Sequence, residues 1–317
     1  MSGAADGFAT ERVLVTGSGG VLGAALVQLL RSGTVAALFT LRRADCDLLD
    51  EDSVFAVWRS FQPTVVFHLA ARVAGIQGNI VFGGQAFYEN VKMNLNVVEA
   101  ARRFGTRKVI AAGTTAVYPD TVALPMREDD LWAGPPHPSE SPYGHAKRAM
   151  LAHLEAYERQ YGLRYAYLVC TNLYGPGDRF DEQYGHVVPS LVKRFHDARV
   201  QGRSSVTVWG DGTPTRDFLY ADDAARGFVE AALRGSGALN LATGRTFTIR
   251  RLVEALTEVS GYPGKIMWDM AKPNGQLARS YDVSRMHALG WRPMISLSEG
   301  LRRTYDWYAG HHLRARH

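Results

Sequence analysis

Residues 12–23 read Arg12-Val-Leu-Val-Thr16 and then Gly17-Ser-Gly-Gly-Val-Leu-Gly23, and an Ala/Leu-rich run follows over residues 24–31. Four apolar or β-branched residues in a row predict a buried strand, and the Ala/Leu run predicts a helix. Gly17, Gly20 and Gly23 stand three apart at the turn between them. Glycines there let the backbone approach a pyrophosphate, whose charge then sits at the helix N-terminus. A glycine-rich turn directly after a strand and opening a helix is the context that dinucleotide binding demands. The turn therefore nominates Gly17, Ser18, Gly20, Val21, Leu22 and Gly23 as cofactor contacts.

The rhythm continues outward from this unit. A second strand over 35–41 ends in Arg42-Arg43, where a dinucleotide fold faces the adenosine ribose. An acidic residue at that place binds the free hydroxyls of NAD, and arginine accommodates the extra phosphate of NADP. No Asp or Glu precedes the pair, so Arg42 and Arg43 favour NADP(H). A helix is predicted over 51–61 and a third strand over 64–67, running into His68-Leu-Ala-Ala71. The small residues after it, with Leu69, Ala70 and Ala71, let a cofactor lie close to the chain. The segment 72–88 has four glycines and little periodicity and reads as a loop near the cleft. A long helix over 89–104 and a strand over 107–112 follow. Strand–helix alternation at this interval predicts an α/β fold, a Rossmann-like doubly wound parallel sheet. Ligands of such sheets bind at the carboxyl ends of the strands, where Gly17, Arg42, His68, Gly113 and Thr114 all fall.

The chemistry-bearing stretch begins there. Gly113-Thr-Thr-Ala-Val-Tyr-Pro119 is a hydroxyl cluster, and Ser141-Pro-Tyr-Gly-His-Ala-Lys147 places a tyrosine four residues before a lysine. One helical turn separates Tyr143 from Lys147, so both share a face. An ammonium beside a phenol lowers the phenol's pKa from about 10, which makes a proton donor for a ketone accepting a hydride.

After a strand over 163–170 and Thr171-Asn-Leu-Tyr-Gly-Pro176 the alternation breaks. A helix over 188–198, a short strand over 206–209 and Gly210-Asp-Gly-Thr-Pro-Thr-Arg-Asp217 lead to a segment that returns to the first domain. The expected division is a cofactor domain of residues 1–175 with 218–243, and a smaller interleaved C-terminal α/β substrate lobe of 176–217 with 244–317.

The bulk numbers agree with an ordinary globular enzyme: 317 residues, 46% hydrophobic, 21% charged, formal charge +5. The charge suits a phosphate-rich ligand, and no Lys/Arg run reaches the length of a nucleic-acid arm. Two cysteines, Cys46 and Cys170, make no disulfide framework and no zinc spacing. No apolar run approaches the roughly 18 residues of a membrane span. The first residues, MSGAADGFATER, hold no signal-peptide core, so a cytoplasmic location is expected.

Taken together, these motifs resemble the extended short-chain dehydrogenase/reductases, and within them the GDP-L-fucose synthase (GDP-4-keto-6-deoxymannose epimerase/reductase) subfamily. Besides the glycine turn and the Tyr143/Lys147 pair, the resemblance rests on Pro125-Met, Thr171–Pro176 and His186-Val-Val-Pro189. It extends through Arg194-Phe-His196, Val208-Trp-Gly210, Gly212-Thr-Pro214, Arg216-Asp-Phe218, Lys272-Pro273 and Leu289-Gly-Trp291. It implies NADP(H), a sugar nucleotide held under the C-terminal lobe, and a homodimer. Tyr143 would protonate the ketone oxygen, Lys147 would hold the cofactor ribose, and Thr114, in the place of the family's serine, would hydrogen-bond the ketone. Asn172, Leu173 and His186 would border the nicotinamide. Thr115, Asn172, Arg194, Trp209, Arg216, Asn274 and Arg279 would line the substrate.

The departure is Ala116. The resembling enzymes carry a cysteine two residues before the tyrosine that is Tyr118 here, and it works with a histidine matching His186 in proton exchange beside the ketone. A methyl group cannot transfer a proton, so a 4-ketoreductase with C3/C5 epimerisation lost or restricted is expected, the alternatives being a bifunctional 3,5-epimerase/4-reductase and a sugar-nucleotide epimerase without net reduction. Asn274 for an aspartate and Arg279 for a lysine suggest a changed polar contact around the guanine or sugar. Cys170 is expected to be an inert buried thiol.

Overall fold

The computed structural model describes residues 7–73, 76–182, 185–272 and 276–316. The side chains of residues 76, 77, 79 and 80 are also outside the description.

The apolar runs form one six-stranded sheet built from β1 (Phe8–Thr16), β2 (Val35–Leu41), β3 (Val65–His68), β4 (Lys108–Ala112), β5 (Arg164–Cys170) and β10 (Gly237–Leu241). The order is β10-β5-β4-β3-β1-β2, and every pairing is parallel. Parallel strands bury both faces, which is why these segments are continuously apolar rather than alternating. α1 (Val21–Ser32) and α6 (Ala221–Arg234) cover one face. On the other lie α2 (Glu51–Phe61), α3 (Ile76–Arg103) and α4 (Ser141–Tyr161). Thr16 is in register with both Leu41 and His68, so the cofactor turn, Arg42 and Leu69 leave the sheet from one edge. The doubly wound reading of the sequence is met.

The loop expected over 72–88 is instead mostly helix. α3 starts at Ile76 and runs through Gly78, Gly83 and Gly84, with one non-helical residue at Phe82. Glycine costs about 1 kcal/mol in a helix relative to alanine, but α3 packs along α4. At Gly83 a side chain would press on Pro142, its β-carbon 3.0 Å from the ring. Packing outweighs local propensity here.

A second core gathers α5 (Val187–Val200), α7 (Ile249–Ser260) and α9 (Leu297–His311) around Phe195, Leu252, Leu256 and Leu301. Beside it β7 (Ser205–Trp209) pairs in parallel with β12 (Lys265–Asp269). Two short strands, β6 (Asn172–Tyr174) and β9 (Phe218–Tyr220), pair where the chain passes between the two cores. β8 (Thr215–Arg216) pairs with β11 (Phe247–Thr248). α8 (Ser284–Ala288) precedes α9 and packs on β10. Helices and strands of the two cores thus alternate along the chain.

Candidate active site

The cofactor turn is closely built. Gly17 has φ +67°, and a β-carbon on it would stand 2.7 Å from the Ala70 amide nitrogen. A β-carbon on Gly23 would meet the Gly17 carbonyl oxygen at 2.2 Å. Only glycine fits either position. One at Gly19, by contrast, would project into open space. α1 opens with Gly20 as its N-cap, with no side-chain cap and no acid in its first turn. Its leading amides, and the positive end of its dipole, are therefore free for a phosphate. These residues fit a dinucleotide pyrophosphate.

A buried polar chain ties this turn to the Leu69–Ala70 strand end. The Thr16 hydroxyl oxygen accepts from the Leu69 and Ala70 amides at 3.2 Å each and lies 2.8 Å from His68 Nδ1. Having accepted twice, the hydroxyl donates its own proton to Nδ1, which leaves Nε2–H to donate to Asn94 Oδ1 at 3.0 Å. Burial, helped by the nearby Lys147 charge, pushes the His68 pKa down to about 4 and keeps it neutral. The sequence places His68 at a strand end in the ligand-binding row but gives it no role, and nothing in the pattern points to Asn94. Their pairing needs the tertiary contact between β3 and α3.

At the adenosine end, Arg42 and Arg43 are exposed, and a groove of about 700 Å3 runs between Ser18, Gly19 and Arg42 and the outer face of α1 at Gln28 and Arg31. Arg42 Nε also meets Asp45 at 3.2 Å, an acid that follows the pair rather than preceding it. So exposed a pair is screened and gives way readily to a phosphate.

Lys147 and Tyr143 share the buried side of α4, with Nζ 5.8 Å from the tyrosine ring centroid. Nζ donates to the Ala112 carbonyl at 2.9 Å, and two further protons remain to be shared. The expected lowering of the Tyr143 pKa is not found. Burial raises it well above 10, with smaller contributions from Cys170 and Glu140, and burial also lowers Lys147 to about 8. Desolvation dominates, so the phenol holds its proton. Thr114 caps the short 3-10 turn Thr115–Val117 by accepting from the Ala116 amide at 3.2 Å. Its own proton stays available for an oxygen in the cleft. Gly113, beneath it, abuts Tyr167, whose ring a β-carbon would meet at 2.4 Å. Ala116 is buried next in line. Cys170 is buried with its pKa pushed up to about 12, an inert thiol at neutral pH.

The substrate candidates separate. Arg279 is buried and ion-paired to Glu140, and burial lowers the pKa of Arg216, with the Arg279 charge second. The two guanidinia therefore face one region, together with Thr115 and the buried Tyr281 hydroxyl. Trp209 is 47% exposed at the end of β7 with Lys272 Nζ 5.6 Å from its ring, rather than packed under the lobe. Asn172 is held by its amide on the Asp217 carbonyl at 2.9 Å, and Leu173 is half-buried on the sheet core. Arg194 does not join this region. Its guanidinium is engaged by Glu182 at 3.1 Å and by the Thr207 carbonyl at 2.6 Å, bracing α5 on β7. Asn274 lies outside the described residues. His186 is exposed as the N-cap of α5 and makes no side-chain cap. The buried Asp178 carboxyl, raised by desolvation, is within reach of its charge. Glu140, Asp178 and Tyr281 were not among the sequence candidates. Glu140 stands three residues before Tyr143 and could have been weighed, but its partner is 139 residues away.

Comparison with known proteins agrees with this geometry. The NAD dependent epimerase/dehydratase family matches residues 13–242. GDP-L-fucose synthase of Escherichia coli (strain K12) is 36% identical over 309 residues, covering 94% of this chain and 96% of its own. The crystal structure of a GDP-L-fucose synthetase from Naegleria fowleri bound to NADP superposes with TM-score 0.90 at 28% identity, covering 96% of this chain and 94% of that one. A GDP-6-OMe-4-keto-L-xylo-heptose reductase from C. jejuni gives TM-score 0.89 at 25% identity over 94% and 97%. The glycine turn, the Tyr143–Lys147 helix and the whole-length similarity place the chain in the NAD dependent epimerase/dehydratase family, among the extended short-chain dehydrogenase/reductases.

Proposed function

We propose that this chain, an NADP(H)-dependent sugar-nucleotide oxidoreductase, reduces the 4-keto group of a GDP-4-keto-6-deoxy sugar, hexose or heptose, with proton exchange at C3 and C5 lost or restricted. One observation carries the reading. Tyr143 and Lys147 share a face of the helix seated against the turn that Thr114 caps, and Ala116 in that turn is a buried methyl.

NADPH, when bound, supplies the hydride. Gly17–Gly23 and the α1 N-terminus would hold its pyrophosphate, Arg42 and Arg43 its 2′-phosphate, and Lys147 its ribose hydroxyls. Thr114 would donate a hydrogen bond to the ketone oxygen, where negative charge grows in the transition state. Tyr143, kept protonated by burial, would hand its proton to that oxygen. Arg216 and Arg279 suit the substrate diphosphate, since a guanidinium presents a planar fork of donors. Epimerisation needs an acid and a base on opposite faces of the ring. His186 supplies one candidate and Ala116 supplies none.

A second reading, exchange at a single flanking carbon, is favoured by the buried Asp178 carboxyl, whose charge interacts with that of His186. Both readings are tested by one experiment in deuterated water with NADPH and freshly made GDP-4-keto-6-deoxymannose. NADPH consumption with no deuterium at C3 or C5 of the product is expected. Deuterium at one carbon selects the second reading, and deuterium at both sinks the first.

Exposed Val81, Phe82, Phe87, Tyr88 and Leu95 on α3 support a homodimer through that helix. Among the described residues no helix is long and apolar enough to cross a membrane.

A further inference from the structure

Glu140 is a carboxylate beside Arg279 and Arg216, which the proposed reading assigns to a diphosphate. It lies within charge range of Tyr143 on one side and of Arg216 and Arg279 on the other. Arg279 binds only its Oε2, and Oε1 has no hydrogen-bond partner among the described residues. The side chain is partly exposed, whereas Arg279 is nearly sealed and is held from behind by Gln276. Beside them the buried Tyr281 hydroxyl lies adjacent to Thr115 and Arg279. A carboxylate costs affinity for an arriving dianion, so its presence calls for a compensating contact. A carboxylate held by arginine with one oxygen free is a strong acceptor for hydroxyl groups.

We propose that Glu140 is a specificity-determining residue that accepts hydrogen bonds from the ring hydroxyls lying between the diphosphate-bearing carbon and the ketone. The inference rests on the reading of the site as a sugar-nucleotide reductase. In that reading the ketone sits at Thr114 and Tyr143 and the diphosphate at Arg216 and Arg279. Glu140 is ion-paired to one anchor, Arg279, and stands three residues before the other, Tyr143, so the C2 and C3 hydroxyls between the anchors fall within its reach. Arg279 fixes the carboxylate's orientation, and the Tyr281 hydroxyl offers a second polar group at the same depth.

Calorimetric titration of GDP and of GDP-mannose into the NADP-loaded enzyme tests this, with wild type, Glu140→Ala and Glu140→Gln compared. Glu140→Ala is expected to weaken GDP-mannose by about tenfold or more while GDP binding is unchanged or tighter, because Arg279 is released. Glu140→Gln, which keeps an acceptor oxygen, is expected to recover most of that loss. If Glu140 only braces Arg279, the Ala variant shifts both ligands by the same factor, and the proposal is overturned. No shift for either ligand overturns it equally. Wild-type enzyme that binds neither ligand and consumes no NADPH with a GDP-4-keto-6-deoxy sugar would instead remove the underlying reductase reading.

Discussion

Gly144 lies so close to the Ala116 carbonyl oxygen that a β-carbon there would stand 2.4 Å away, and Pro136 closes the other side at 2.9 Å. The helix that carries Tyr143 is therefore seated directly on the backbone of the segment that carries Thr114. Backbone cannot move aside as a flexible side chain would. Gly144→Ala must lift α4 or displace the 3-10 turn, costing about 1–3 kcal/mol of stability as other overpacked sites do. Thermal unfolding should show the loss, and kcat should fall more than the NADPH affinity, because the tyrosine moves relative to the ketone site.

Tyr143→Phe removes the proton donor and leaves the ring packing intact. A fall of about 10²- to 10⁴-fold in kcat is expected, with NADPH binding unchanged in a fluorescence titration. A variant retaining wild-type turnover would show that another group protonates the product.

The His68 clamp makes the cofactor turn acid-sensitive. His68 titrates at about 4 when folded and near 6.5 when free, so between these values the unfolded chain binds more protons. Stability is therefore lost as pH falls from 6.5 towards 4, by about 3 kcal/mol for such a gap. Urea midpoints measured across this range should fall in the wild type. His68→Gln should start lower at pH 7 and lack that part of the slope.

Arg42→Ala with Arg43→Ala should raise the NADPH dissociation constant about ten- to hundredfold and leave NADH little changed. Because both arginines are exposed, the wild-type preference should also shrink as salt rises. Equal losses for the two cofactors would argue that the pair stabilises the β2 end and does not read the phosphate.

Ala116→Cys returns a thiol to the buried position beside Thr114. Deuterium from solvent should then enter the product next to the ketone at a rate above that of wild type, read by NMR. No gain would mean that His186 is not placed to complete the exchange.

Much of the fold was legible because parallel strands and their covering helices write themselves as short apolar runs and amphipathic segments at a steady interval. The strand Val35–Leu41 and the helix Glu51–Phe61 span the residues their patterns name. The start of α3 was not legible, since its glycines read as loop until α4 is beside it. The pKa of Tyr143 was misjudged for the same reason. Spacing reports which groups are neighbours but not how much water they lose.

By itself the sequence determined the cofactor turn, the strand–helix alternation, the Tyr143–Lys147 spacing and the methyl at Ala116. These are local features, fixed by steric limits at glycine, by helical periodicity and by covalent identity. The tertiary structure decided which charges meet. It drew Arg194 away to Glu182, brought Arg279 to Glu140 across 139 residues, and buried His68 between Thr16 and Asn94. Such contacts depend on how two cores dock, and electrostatic interactions follow distance in space and local dielectric rather than separation along the chain.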